Sequence, residues 1–287
     1  MSTAIRGARG VIPTDACLVM GVVNRTADSF YDGGRLRLDE SVAHALALVD
    51  QGADIIDIGG VKAGPGPPIA EDEERARVIP LIAAVAAATP VPISVETARP
   101  PVAEAAIEAG ATMVNDVGGL HDEGLARVCA TTGAALVVMH HGGQLRGRPR
   151  HPRYKDVVVS VIEEFERCAE IASRAGVAEE QIIVDPGLDF GKTTFHSLAI
   201  VRRLNELTAL DWPVLVAPSR KDVVGESLGL PPEQRLEGTL ALVALSVAAG
   251  AAIVRVHDVA EAVRVVRMTE MVSGRRLPAE PLRGLWD

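Results

Sequence analysis

The sequence predicts an α/β fold, a single-domain (β/α)8 TIM barrel over residues 1–287. Three observations predict it. Short β-branched runs alternate with longer Ala-rich segments of helical period from one end of the chain to the other. The length of 287 residues suits one large barrel or two small domains. Hydrophobic residues make up 48% and aromatics only 3%, so the core must be built from Val, Ile, Leu and Ala, which fill parallel barrels.

The strands are expected, in order, at CLVMGVVN (17–24), IIDIG (55–59), ISV (93–95), MVND (113–116), LVVM (136–139), IIVD (182–185), VLVA (214–217) and IVRV (253–256). Each is a short apolar run of strand length. Segments of helical period lie between them, at 41–51, 73–87, 101–109, 157–175 and 235–249. The main rival is a doubly wound open sheet. It would need fewer strands and usually a glycine-rich turn after the first one, which GVVNRTAD is not.

Several function classes drop out. Net charge is −9 and Lys and Arg are scattered, whereas nucleic acid or an anionic membrane surface needs clustered cations. The apolar run 240–254 is too short to span a bilayer, is divided by Gly250 and meets Arg255, so it reads as a buried helix feeding a buried strand. MSTAIRGARGVIP has no apolar stretch of signal-peptide type. Cys17, Cys129 and Cys168 have no metal or disulfide spacing and read as buried thiols in a reducing, cytoplasmic compartment.

Polar residues gather where the strands end: Asn24, Asp57, Glu96, Asn115 with Asp116, His140, Asp185, Ser219 to Lys221, and Arg255 with His257. In a barrel those positions ring one mouth, where active sites are built. Arg220, Lys221, Arg255 and His257 come from the last two strands and read as a phosphate or diphosphate site. Arg255 sits inside an apolar strand and needs an anionic partner there, whereas Arg220 alone also reads as a capping cation. Asp185, Asn115 and Glu96 would pair with a flat heterocycle bearing N–H groups; an internal ion pair with Lys221 is the other reading. Asn24 could reach a magnesium ion carried by a diphosphate. Consecutive His140 and His141 point apart in extended chain and cannot chelate one zinc ion, and no G-x-S-x-G elbow occurs.

At these residues a family becomes visible. MGVVNRTADSFYDGG from Met20, GADIIDIGG from Gly52, ISVET, NDVGG, DPGLDFGKT, SRKDVVG and RVHDV resemble the ordered signature blocks of dihydropteroate synthases. The resemblance covers about the whole chain. It implies condensation of 6-hydroxymethyl-7,8-dihydropterin diphosphate with p-aminobenzoate in folate biosynthesis, with Mg2+ and a homodimer built on helices of the later half. By the same resemblance Glu96, Asn115, Met139, Asp185, Phe190 and Lys221 would hold the pterin. Asn24, Arg255 and His257 would hold the diphosphate, Asn24 together with the metal. Asp28 and Asp32, with Phe30, would belong to the catalytic first loop.

The departures fall on the second-substrate side. The family's GGESTRPG is GGVKAGPG here, with Val61, Lys62, Ala63 and Gly64 at the Glu, Ser, Thr and Arg positions. The family serine after the SRK lysine is Asp222, which would set a carboxylate against the carboxylate of p-aminobenzoate, unless it caps the following helix. Glu96 stands for an aspartate and Asp189 for a glycine, while Arg25, Ala27 and Tyr31 change the first loop. The resemblance is therefore to a synthase whose p-aminobenzoate binding is in doubt and whose activity is weak or lost. A working synthase with remodelled loops and a pterin-binding methyltransferase domain stay open as alternatives.

Overall fold

The structure, a computed structural model, describes residues 4–25, 35–61, 69–143 and 152–281. An antiparallel hairpin, β1 (Ala4–Gly7) and β2 (Gly10–Pro13), comes first. The parallel strands follow as β3 (Leu18–Asn24), β4 (Ile55–Gly59), β5 (Ile93–Glu96), β6 (Met113–Asp116), β7 (Ala135–Met139), β8 (Ile182–Asp185), β9 (Leu215–Val216) and β10 (Ile253–Val256). They form one 8-stranded sheet in the order β8-β7-β6-β5-β4-β3-β10-β9. A parallel bridge from Val184 to Val214 and a 3.0 Å bond from Val184 N to the Pro213 carbonyl close it on itself. This is the (β/α)8 barrel that the alternating pattern predicts.

The helices are α1 (Arg35–Asp50), α2 (Glu71–Ala88), α3 (Pro100–Ala109), α4 (Gly124–Thr132), α5 (Val157–Ala175), α6 (Thr194–Arg202), α7 (Leu204–Thr208), α8 (Asp222–Leu228), α9 (Leu236–Ala248) and α10 (Val259–Val272). Local chemistry sets their ends. Asp156 caps α5 by accepting from Val158 N at 2.9 Å, and Gly176, with φ of 95°, stops it in the left-handed conformation that only glycine takes freely. Four acidic residues, Glu71 to Glu74, open α2, where the helix dipole favours them. The run 240–254 is divided as expected, the end of α9 passing through Gly250 into β10. Among the described residues no helix is long and apolar enough to cross a membrane. All three cysteines are buried and unpaired.

Side chains alternate along each strand between the helices and the barrel interior. The outward set, including Val19, Ile56, Val114, Val184 and Val254, packs with the helices. At Gly21 the helices come so close that a Cβ would lie 3.1 Å from both Leu48 and Val259. The inward set begins with an apolar floor: Met20, Ile55, Met113, Val137, Ile183 and Ile253. The N-terminal hairpin, which the sequence reading did not anticipate, completes that floor with Ile5, fully buried, and Ile12. It is short and glycine-bounded, and only its two isoleucines face inward, so its period is hard to see. Helix α1 also begins six residues before the expected 41.

Replacing Ile5 with Ala should leave a cavity under the barrel and cost about 2–4 kcal/mol. Urea unfolding would show it as a lower midpoint with an unchanged slope.

Candidate functional site

The mouth is the next inward layer above the floor. One step of two residues leads from Ile55 to Asp57, from Met113 to Asn115, from Ile183 to Asp185 and from Ile253 to Arg255. Registers align their neighbours: Asp57 lies opposite Ser94, Gly59 opposite Glu96, Glu96 opposite Asn115, and Met139 opposite Asp185. Thus Glu96, Asn115, Met139, Asp185 and Arg255 are brought together, with Asn24 and His257 at the rim ends of β3 and just past β10.

Arg255 is the centre of this layer. Its Nε donates to Asp57 Oδ2 at 2.6 Å and its Nη2 donates to Glu96 Oε2. Asn115 Nδ2 adds a 3.2 Å bond to the same Asp57 oxygen, while Asp57 Oδ1 is buried without a partner among the described residues, as is Ser94 Oγ. The anionic partner that Arg255 needs is therefore supplied by the chain itself. Burial opposes the charge on Arg255, but Asp57 and Glu96 more than offset this and hold its pKa above the ordinary value. Burial pushes the Glu96 carboxyl up, Arg255 pulls it back, and Asp57 adds to the rise. Asp57 was visible in the sequence as one rim residue among many and carried no assigned role there.

Asp185, Lys221 and Phe190 form the opposite wall. Burial raises the Asp185 carboxyl, although its Oδ1 accepts from Gly187 N at 2.7 Å. Lys221 Nζ donates to the Leu188 carbonyl at 2.8 Å and stands 4.9 Å from the Phe190 ring centroid. Burial lowers its pKa, and Asp185 acts against that. The ammonium thus rests on a carbonyl and an aromatic face rather than in the close ion pair with Asp185 that was the competing reading. A lysine so held remains open to an acceptor on a ligand.

The other cations divide. Arg220 is tied to Asp258 through Nε at 3.0 Å and Nη2 at 2.6 Å. His257 Nδ1 lies 2.9 Å from Ser219 Oγ. Loss of hydration in the mouth and the Arg255 guanidinium lower its pKa, moderated by water because the residue is exposed. A Cβ at Gly59 would lie 3.5 Å from Asn24 Oδ1 and 3.6 Å from Glu96 Oε1, so the missing side chain leaves a gap lined by two hard oxygens.

Asp222 begins α8, whose N-cap is Lys221, and its carboxylate lies 3.2 Å from Arg235 Nη1. The Asp189 carboxylate turns to α8, accepting from Val223 N at 3.1 Å and from Ser197 Oγ at 3.2 Å. Asp189 has φ of 70°, a left-handed conformation that explains a family glycine at this position. A residue that went unassigned is Lys192 of DPGLDFGKT. Its buried Nζ donates to the carbonyls of His140, Gly187 and Phe190 at 2.8–2.9 Å and holds that loop together. Asp28, Phe30 and Asp32 of the first loop, and Lys62, Ala63 and Gly64 of the second, lie outside the described residues. Arg25 at the base of the first loop is buried and donates from Nη1 to the Arg77 carbonyl at 2.8 Å.

Asp189→Ala should cost about 1–2 kcal/mol, because it removes two bonds and keeps the positive φ. Asp189→Gly should cost less, and thermal unfolding of the pair separates bond loss from strain. A pH effect follows from His140. Its Nδ1 lies 2.7 Å from Lys192 Nζ, and burial followed by Lys192 lowers its pKa to about 3 from an ordinary 6.5. Between those values the unfolded chain binds a proton that the folded chain refuses. Its contribution to stability is therefore complete above pH 6.5 and falls as the pH drops toward 3, by roughly 1.4 kcal/mol per unit. Burial pushes the Glu96 and Asp116 carboxyls up to about 7 and about 6, and they act in the opposite sense over this range, so the slope is read as the difference in urea midpoints at pH 6.5 and 5 between the unaltered protein and His140→Gln.

Comparison with known proteins places the chain. A family described as "Pterin binding enzyme" matches residues 20–257. The chain is 47% identical over 278 residues to "Inactive dihydropteroate synthase 2" of Mycobacterium tuberculosis (strain ATCC 25618 / H37Rv), covering 94% of this chain and 87% of that one. It is 43% identical over 256 residues to "Dihydropteroate synthase" of Bacillus subtilis (strain 168), covering 88% and 87%. A solved structure of Xanthomonas albilineans dihydropteroate synthase with 4-aminobenzoic acid superposes with a TM-score of 0.88 at 38% identity, over 97% of this chain and 100% of that one. With a barrel mouth of this construction and likeness along almost its whole length, the chain belongs to the pterin binding enzyme family.

Proposed function

We propose that this protein is a dihydropteroate synthase-like pterin and diphosphate binder whose synthase activity is weak or lost. The observation that carries this reading is position 222. Beside Lys221, where the family serine offers a hydroxyl donor, stands an acceptor-only carboxylate already engaged by Arg235. A site built to donate to an aryl carboxylate loses strongly when the donor is replaced by an acceptor. The GGVKAGPG second loop removes further polar groups on the same side. The 47% identical mycobacterial relative, an inactive dihydropteroate synthase 2, supports the same reading.

The pterin half has what it needs. Asp185 and Asn115 offer an acceptor and an amide to ring N–H groups, Met139 and Phe190 offer apolar surface, and Lys221 donates to a ring oxygen or nitrogen. Arg255 and His257 would take the diphosphate. Magnesium fits beside Asn24, because one amide oxygen over the open Gly59 suits an ion that keeps most of its waters. When bound, it would neutralise diphosphate charge. Exposed Leu245 on α9 with Met268 and Val272 on α10 supports a homodimer through later helices. Three unpaired buried thiols support a reducing, cytoplasmic setting.

A second reading, a working synthase with remodelled loops, is favoured by one finding: Arg235 balances the charge of Asp222. One assay separates the two. Pure protein is mixed with 6-hydroxymethyl-7,8-dihydropterin diphosphate, magnesium and p-aminobenzoate, and pyrophosphate release is followed. No release above background is expected, while calorimetry shows the pterin diphosphate binding and p-aminobenzoate not binding. Turnover at an ordinary enzyme rate, about 1 s−1 or faster, would establish the second reading instead.

A further inference from the structure

In the mouth one guanidinium faces two carboxylates. Asp57, with no exposure, holds Arg255 Nε, and Glu96, 5% exposed, holds Nη2. Nη1 donates to no group among the described residues, and it is not among the buried polar atoms that lack a partner, so it is the edge left for an incoming anion. Binding a phosphate by a planar fork uses two neighbouring N–H groups, and Nη2 belongs to both forks of the guanidinium. A phosphate held by a fork on Arg255 must therefore share Nη2 with Glu96 or displace it, and in either case it meets a buried carboxylate at close range.

The cost falls if Glu96 finds another donor. Asn115 lies opposite Glu96 in the strand register, and its Nδ2 is turned to Asp57, so no neighbouring amide takes the Glu96 oxygen. A heterocycle bearing N–H groups in this layer could. We propose that Glu96 is a specificity-determining residue that makes anion binding at Arg255 conditional on the heterocycle. Alone, a diphosphate competes with the internal carboxylate; with the heterocycle in place, Glu96 turns to its N–H groups and releases Nη2. Burial already raises the Glu96 carboxyl, which agrees with a group poorly satisfied by its present partner. The site thereby disfavours free pyrophosphate and favours one molecule carrying both parts. This rests on the pterin and diphosphate reading given above.

The coupling is measurable by calorimetry on the full chain with magnesium pyrophosphate, with and without saturating 6-hydroxymethyl-7,8-dihydropterin. In the unaltered protein the pterin should tighten pyrophosphate binding about tenfold, and pyrophosphate should tighten the pterin equally, as linkage requires. Glu96→Asp keeps the charge and shortens the arm, so pyrophosphate alone should bind about tenfold tighter with the coupling largely gone. Glu96→Gln should do the same. If only Glu96→Gln gains, the effect is general charge removal and the proposal fails. If both ligands bind the unaltered protein without coupling, the proposal fails and the pterin and diphosphate reading stands. If neither ligand binds, both fail. The measurement on the unaltered protein decides the matter even if the variants do not fold.

Discussion

The ion pair between Arg255 and Asp57 joins β10 to β4 across 198 residues of sequence, and the mouth is organised around it. A fully buried carboxylate is costly unless a cation and hydrogen bonds compensate it, and removal of one partner from such a pair typically costs about 3–5 kcal/mol. Asn115 and Glu96 join the same cluster, so residues on β4, β5, β6 and β10 share one electrostatic problem. The apolar floor below excludes water and sharpens it. The geometry offered to a ligand is thus a by-product of the chain neutralising its own buried charges.

Strand alternation decides who takes part. The barrel closes with one register throughout, so every second residue of each strand faces the same interior. Moving β5, β8 or β10 by a single residue would bury a valine in the mouth and point a charge at the helices. Floor and mouth are consequently two layers of one pattern, and packing below fixes polar positions above.

Much of this was legible in the sequence. The strands stood out because they are buried on both faces and read as unbroken β-branched runs, and the polar residue ending each one marked the mouth. The hairpin at Ala4–Pro13 was not legible, since two inward isoleucines among glycines make no period. Partner choice was not legible either. A sequence shows that Arg255 requires an anion but not that Asp57 and Glu96 provide it, and it shows Asp189 and Asp222 as added charges but not that α8 and Arg235 absorb them. Those facts depend on side-chain directions that only the folded loops set. The family blocks identified the ligand class, which periodicity alone could not.

The Asp189 carboxylate, reaching from the DPGLDFGK turn to the start of α8, ties two loops that in sequence are thirty-four residues apart. Lys221 and Asp222 sit at that start, so their orientation is inherited from a residue in a different loop. A change at 189 therefore reaches the start of α8 through the Val223 amide, without touching Lys221 or Asp222 directly.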